Sequence, residues 1–452
     1  MRRILTILLL MLSLTASATN YYISATGNNS NAGTFASPWA TWAKLETVTL
    51  LPGDTVYIRG GTYRSEKGNS VSVHVRWNSK NGTAGNPICI WAYPGEAPIL
   101  NMDNITTTRS ASVIEVSSCS YLHIKGLRVT GFAQPNSSIS LVNWYIAAVT
   151  NSIIENCRAD HSGMYGFAFG NGCNTIDVIN CDVDHLYDIS EGGANGFNIT
   201  GGSTATNIFF KGCRAWFTSD DGWDFFSADG YVTFDNCWSF WNGYKPDFTE
   251  CINGDGVGFK VGPTVTNQTT ARIIMRNCLA VQNKVSGFNQ NTVTTYNPVI
   301  LYNNVSYKNG IIGYMFGWGP DGGTPSIFRN NISYMDGSTF VGETVDIHDH
   351  NTWNGGVFVN AADFISLDPT GMDGPRQADG SLPVLNFLKL VSTSDLIDAG
   401  IFVGLPYSGQ APDIGAYEYN AAIPDPELGT TFAIDKNGNP MVDKNGRIII
   451  IQ

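Results

Sequence analysis

The chain has 452 residues, with 26 Lys or Arg against 38 Asp or Glu, a net charge of −12. Hydrophobic residues at 43% exclude intrinsic disorder, while charged residues at 14% lie well under the ~25% usual in soluble domains. An acidic balance with no Lys/Arg-rich stretch excludes a sequence-independent nucleic-acid binder and argues against a bulk electrostatic grip on any polyanion.

Residues 1–18 read as a secretory leader. Arg2 and Arg3 form a charged start, Ile4 to Leu14 an apolar core, and Ala16-Ser17-Ala18 a small-residue cleavage site. The apolar run is too short to span a bilayer, which takes ~20 residues. No other stretch is apolar enough to span a membrane, so the mature protein is expected to be exported, acidic and without a membrane span. After the leader, Ser37 suits a helix N-cap and Pro38 a first helical position, with Trp39, Trp42 and Ala43 on one face. A capping helix over Ser37 to Val48 is expected, followed by a first coil at Pro52 to Tyr63.

From about Val113 one pattern recurs: a β-branched run, an Asn-Cys or Asn-Asn pair, a short polar run, and Gly-aromatic. The pairs lie at Asn156, Asn180, Gly212, Asn236, Asn277, Asn303 and Asn330, at steps of 24 to 41 residues. The anchors are Gly131-Phe132, Gly166-Phe167, Gly196-Phe197, Gly222-Trp223, Gly258-Phe259, Gly287-Phe288 and Gly313-Tyr314. A spacing floor with variable excess means one structural coil carrying loops of different length. Runs such as IIENC, VTFDNC, IIMRNC and VILYNN show no helical period. The expected fold is all-β, a right-handed parallel β-helix of roughly ten coils. Spaced leucines of leucine-rich repeats are absent, and propeller blades need longer units. The recurring Asn would stack at a turn in left-handed conformation, and the recurring Cys would form an inward ladder. Nine Cys is an odd number and denies a complete disulfide framework; reduced, buried thiols are expected. The β-helix is expected over 19–419, closed by the stretch up to Tyr419. In the tail, 420–452, two Asn-Gly turns between apolar runs suggest a small β-hairpin unit.

Aligning the anchors with Phe197, Trp223, Phe259 and Phe288 inward places Asn198, Asp224, Lys260 and Asn289 outward on neighbouring coils. Asp220 and Asp221 precede the Trp223 anchor, and Asn195 occupies the equivalent turn one coil earlier. Three crowded carboxylates raise one another's pKa unless something neutralises them. A hard cation such as Ca²⁺ takes carboxylate and amide oxygens readily, and Asn195 could add an amide oxygen. A single Asp-Asp-Gly would equally be a polar turn; Asp224 and Lys260 on the outward row favour the metal.

SDDGWDFF (Ser219 to Phe226), GDGVGFKVG (Gly254 to Gly262) and NKVSGFNQN (Asn283 to Asn291), in order and at matching spacing, resemble polysaccharide lyase family 9. That family comprises pectate and rhamnogalacturonan lyases on a right-handed parallel β-helix, and the likeness runs from the N-terminal cap to Tyr419. The resemblance implies that Asp220, Asp221 and Asp224 bind Ca²⁺ and that Lys260 is the base. Where the family places a fourth Asp ligand this chain has Asn195, and where the family tends to an acidic residue it has Asn289. The implied reaction is β-elimination at C5 of a uronic acid, with Ca²⁺ on the substrate carboxylate stabilising the developing charge. A lysine beside a divalent cation in a desolvated cleft is expected to have a lowered pKa and an alkaline optimum.

Near the groove, Trp216, Trp241, Tyr244, Asn198, Asn289 and Gln290 are expected sugar contacts, and Lys245 and Lys284 carboxylate partners. The substrate is expected to be a pectic polysaccharide, either homogalacturonan or rhamnogalacturonan I, and the protein a monomer. Two other readings stay open on the sequence: a glycoside hydrolase using the carboxylates as acid and base, and a non-catalytic pectin-binding or adhesive β-helix.

Overall fold

In the computed structural model the β-branched runs are strands, because each alternates an inward apolar residue with an outward polar one. Residues 18–199, 201–262, 270–291, 297–317, 324–342, 346–354 and 356–419 are described, together with the backbone of 431–432 and 450–451. The leader, 1–17 of it, lies outside the described residues. Every pairing between coils is parallel. Ten strands from Gly61–Arg64 to Ile332–Tyr334 stack in one sheet, which counts ten coils. The other sheet holds two further faces joined by strands that run through both: Leu141–Glu155 pairs with Tyr165–Phe169 at its start and with Asn174–Ile179 at its end. The solenoid is therefore three-sided.

Inside it, the Gly-aromatic anchors form one column. Phe167, Phe197, Trp223, Phe259, Phe288 and Tyr314 stack face to face, with centroid separations of 5.4, 4.8, 4.7, 5.1 and 4.9 Å. Gly131-Phe132 is not part of it. Phe132 follows the strand Arg128–Thr130 of the ten-stranded sheet and packs on His74, and Trp144 holds the column position instead. The glycine before each aromatic is required by the close stacking of coils. A Cβ on Gly222 would meet the Gly258 carbonyl at 2.8 Å and Ser239 Oγ at 2.2 Å.

Asn156, Asn180, Asn236, Asn277, Asn303 and Asn330 all have φ between 52° and 58°, and Gly212 has φ 61°. This is the left-handed region that Asn and Gly tolerate. The residues that follow them, Cys157, Cys181, Cys213, Cys237 and Cys278, point inward, and all nine cysteines are free and buried. Beyond Cys278 the column changes to amides: Asn304 Nδ2 donates to Asn331 Oδ1 (3.0 Å) and Asn331 Nδ2 to Asn351 Oδ1 (2.8 Å).

The expected capping helix over Ser37 to Val48 is not formed. Trp39 instead bridges Ile23 as extended chain, its N–H donating to Tyr22 and its carbonyl accepting from Ser24. Ser37 closes a tight turn with Thr34. Only a short 3₁₀ turn, Trp42–Glu46, remains. It covers the first strand of its face, Val73–Asn78: Trp77 Nε1 donates to the Trp42 carbonyl, and Glu46 Oε1 accepts the Arg76 N–H. An open strand edge is thereby satisfied.

At the other end, the chain after Gly356 does not simply close the last coil. It runs back along the outer surface of the ten-stranded sheet, where Phe364, Met372, Phe387, Leu390 and Leu396 cover Trp216, Trp238, Phe240, Val281 and Tyr307. Arg376 reaches Asp182, with Nε 3.1 Å from Oδ2. In the tail, Thr431–Phe432 pairs antiparallel with Ile450–Ile451; the rest of 420–452 lies outside the described residues.

Candidate active site

The outward row expected from the anchors is realised in the register: Asn198 opposes Asp224, Asp224 opposes Lys260, and Lys260 opposes Asn289. One residue before the anchor glycine, Asp221 lies level with Asn195 on the preceding coil. The turn that carries the aspartates is held from below and from the side. Thr218 Oγ1 donates to Asn242 Oδ1 (2.7 Å), at the head of an amide ladder through Asn283 and Asn309. Ser219 Oγ donates to the buried Asp188 (2.8 Å).

Lys260 and the aspartates meet. Lys260 Nζ lies 3.0 Å from Asp221 Oδ2 and 3.1 Å from Asp255 Oδ2. Asp221 is fully buried and accepts the Val257 N–H (2.8 Å). Asp220 Oδ1 accepts the Asp255 N–H (2.7 Å). Asp224 accepts from the Phe226 N–H (2.9 Å) and from Asn195 Nδ2 (3.0 Å), while Asn198 Nδ2 donates to the Asp224 carbonyl (3.1 Å). Asn195 Oδ1 in turn accepts the Asp221 N–H (2.9 Å), which orients its amide. Carboxylate oxygens of Asp220, Asp221 and Asp255 lie within 4.8 Å of one another. Asp255 escaped the sequence reading. Its signal was the Gly-Asp-Gly that opens the GDGVGFKVG motif, five residues before Lys260.

One ammonium faces more negative charge than it neutralises. Burial, and then Asp220, push the Asp221 carboxyl up, and burial likewise raises Asp224. For Lys260, burial alone would lower the ammonium, but Asp221, Asp224 and Asp220 outweigh it and hold it above its ordinary value. This is the balance with the carboxylates alone facing it; the lowered lysine expected from the sequence belongs to the site with a divalent cation beside Lys260. Burial raises Asp220 from 3.8 to about 6, with Lys260 opposing. An acid raised on folding contributes stability that is present below pH 3.8 and lost as the pH climbs to about 6. Chelator-treated protein is therefore expected to melt at lower temperature as pH rises through that interval. Asp220→Asn should flatten the slope in thermal melts, and an unchanged slope refutes the assignment.

The outer residues divide. Asn289 is buried, its Nδ2 donating to Ser286 Oγ (2.9 Å). Gln290 is buried beside it with its Nε2 unsatisfied, and Tyr244 is half-buried against Phe248. Lys284 does not stand free for a substrate carboxylate, since Nζ donates to the carbonyls of Cys251 (2.5 Å) and Gly254 (2.9 Å) and pins the loop that carries Asp255. Lys245 is paired with Glu191 (2.7 Å). Trp216 is buried on the ten-stranded sheet against Phe240 and Arg214, beneath the chain after Gly356, and Trp241 is buried with Nε1 on Gln282.

Residues 21–331 match a family model described as the Pel9A-like, right-handed β-helix region. The chain belongs to this Pel9A-like family. Pectate lyase L of Dickeya chrysanthemi is 33% identical over 88% of this chain and 90% of that protein. Pectate lyase L of Paenibacillus polymyxa is 29% identical over 86% of this chain and 85% of that one. Among solved structures, pectate lyase Pel9A aligns with TM-score 0.75 and 30% identity, covering 89% of this chain and 97% of its own. A rhamnogalacturonan lyase aligns with TM-score 0.67 and 27% identity, covering 83% and 97%. Membership of the Pel9A-like family sets the hand of the solenoid. The three motifs that carry the outward Asp–Lys row all lie within the matched residues.

Proposed function

We propose that the chain is a polysaccharide lyase that cleaves a galacturonic-acid-containing pectin backbone, homogalacturonan or rhamnogalacturonan I, by β-elimination. The observation that carries it is Lys260 held on the outward row beside Asp221, Asp220 and Asp224 in a Pel9A-like β-helix. With a cation neutralising the aspartates that otherwise hold its proton, Lys260 would stand as the neutral amine, and Nζ then takes the C5 proton of a uronate laid along the row. The electron pair of the C5–H bond forms the C4=C5 double bond as the C4–O bond to the next sugar breaks, and the leaving oxygen takes a proton from water to become the hydroxyl of the released chain.

The donor set suits Ca²⁺: it is all oxygen, with Asp220 and Asp221 buried and Asp224 half-buried, and it carries more carboxylate charge than Lys260 balances. Asp220 and Asp221, with Asp255 beside them, bring their carboxylate oxygens within reach of one ion; Asp224 would join them from the outward row, with the Asn195 oxygen beside Asp221. When bound, Ca²⁺ neutralises the substrate carboxylate next to the carbon that loses its proton. Asn195 keeps Asp224 and the Asp221 backbone in register, and Asn198 ties down the Asp224 carbonyl.

Export follows from the leader, and no helix among the described residues is long and apolar enough to cross a membrane. Incubation with polygalacturonate and with rhamnogalacturonan I, with and without Ca²⁺, tests the reading. An unsaturated, UV-absorbing product that disappears with chelator is expected. A saturated product would instead mark a hydrolase, and binding without product an adhesive β-helix.

A further inference from the structure

The strand Val73–Asn78 begins the face that carries Asp224 and Lys260. Beside it lies an open cleft lined by Lys67, Arg76 and Arg109, with Ser70, Ser72 and Glu46 on its walls. Three cations together stand out in a chain of net charge −12. Lys67 Nζ is 2.7 Å from Glu46 and Arg76 Nε is 3.0 Å from Glu115, so each is held by one carboxylate. Arg109 is exposed and pairs with no carboxylate among the described residues; only its backbone is bonded, to Thr107 Oγ1. The cleft therefore keeps an excess positive charge.

The register connects this cleft to the aspartates. Arg76 opposes Glu115, Glu115 opposes Tyr145, Tyr145 opposes Ala168, Ala168 opposes Asn198, and Asn198 opposes Asp224. Outward residues in a parallel stack form a straight row with ~4.8 Å per step, which puts Arg76 on the order of 24 Å from Asp224. In the other direction, beyond Lys260 itself, the row continues through Asn289, Met315 and Val341 and meets no further cation among the described residues. Apart from Lys260 at the site, a linear polyanion lying along the row is met by cations at one end only.

We propose that this cleft is a distal binding site for the uronate carboxylates of the polysaccharide, several sugars from the bond being cleaved. The proposal rests on the lyase reading for its ligand. Guanidinium and ammonium groups flanked by hydroxyls suit carboxylates on a hydrated polymer. The site would favour long chains over short ones and orient the polymer toward the N-terminal end.

The test compares wild type, Arg109→Ala and Arg109→Glu for binding to polygalacturonate and to trigalacturonate, by affinity electrophoresis and calorimetry with Ca²⁺ present. The Arg109 side chain makes no bond that the fold needs. Arg109→Glu is expected to raise the dissociation constant for the polymer by about threefold to tenfold, with Arg109→Ala in between. Binding of the trimer should be unchanged, and the polymer effect should shrink at high salt. No change for the polymer, or equal change for both ligands, overturns the proposal. Absence of unsaturated product from the wild type refutes the lyase reading separately and leaves the binding comparison legible.

Discussion

Lys260→Ala is expected to slow formation of unsaturated product by about 10²–10⁴-fold, the usual contribution of a positioned general base. The residue ends the strand Val257–Lys260, whose backbone pairs with Asp224 on one side and Asn289 on the other. Alanine keeps that strand and its register, so circular dichroism and polymer binding should be retained. Lys260→Arg sharpens the result. Arginine keeps the charge beside Asp221 but does not give up its proton in a protein. It should leave binding and fold in place and activity as low as in the alanine variant. Activity near wild type in either variant sinks the mechanism.

Asp221→Ala is expected to abolish both turnover and the Ca²⁺ response, because this carboxylate joins every part of the site. It is fully buried, accepts the Val257 N–H, pairs with Lys260, and its own N–H is bound by Asn195. Its loss orphans the Val257 donor in a buried place, which costs about 1–3 kcal/mol. Calorimetric titration with Ca²⁺ and a thermal melt of the same variant check both effects. Asp255→Ala is the control. Its side chain is 59% exposed, so its removal should cost far less stability. Ca²⁺ binding by Asp221→Ala at wild-type strength would remove Asp221 from the ligand set.

The row Asn198, Asp224, Lys260 and Asn289 was legible in the sequence because a parallel solenoid turns sequence offsets into spatial neighbours. Once the inward aromatic is known, the next residue must face out one coil above its counterpart. The left-handed Asn column was legible for a similar reason, since few side chains tolerate that conformation. Asp255 was not, because it sits in a loop whose length the repeat leaves free. Its approach to Lys260 depends on how Lys284 pins the Cys251 and Gly254 carbonyls. Trp216 and Lys284 are taken up by long-range packing that the repeat does not encode. Composition does not reveal that the chain after Gly356 folds back over one sheet, or that an ammonium is taken by carbonyls.

The N-terminal cap shows the limit most clearly. Ser37-Pro38 carries a helix-start signal, yet Trp39 is drawn into a bridge with Ile23, and only Trp42–Glu46 turns. Local capping preference is worth about 1 kcal/mol, and the burial of Trp39 and Trp42 in the first coil outweighs it. By itself, the sequence of this protein determined what repeats impose: the all-β solenoid, its inward columns, and the outward meeting of aspartates with lysine. The tertiary structure alone decided what loops and long-range packing impose. These are the approach of Asp255, the covered outer sheet, and the ring of carboxylates around Lys260. The reason is physical: a repeat encodes neighbours one coil apart, whereas electrostatics and coverage depend on everything within reach.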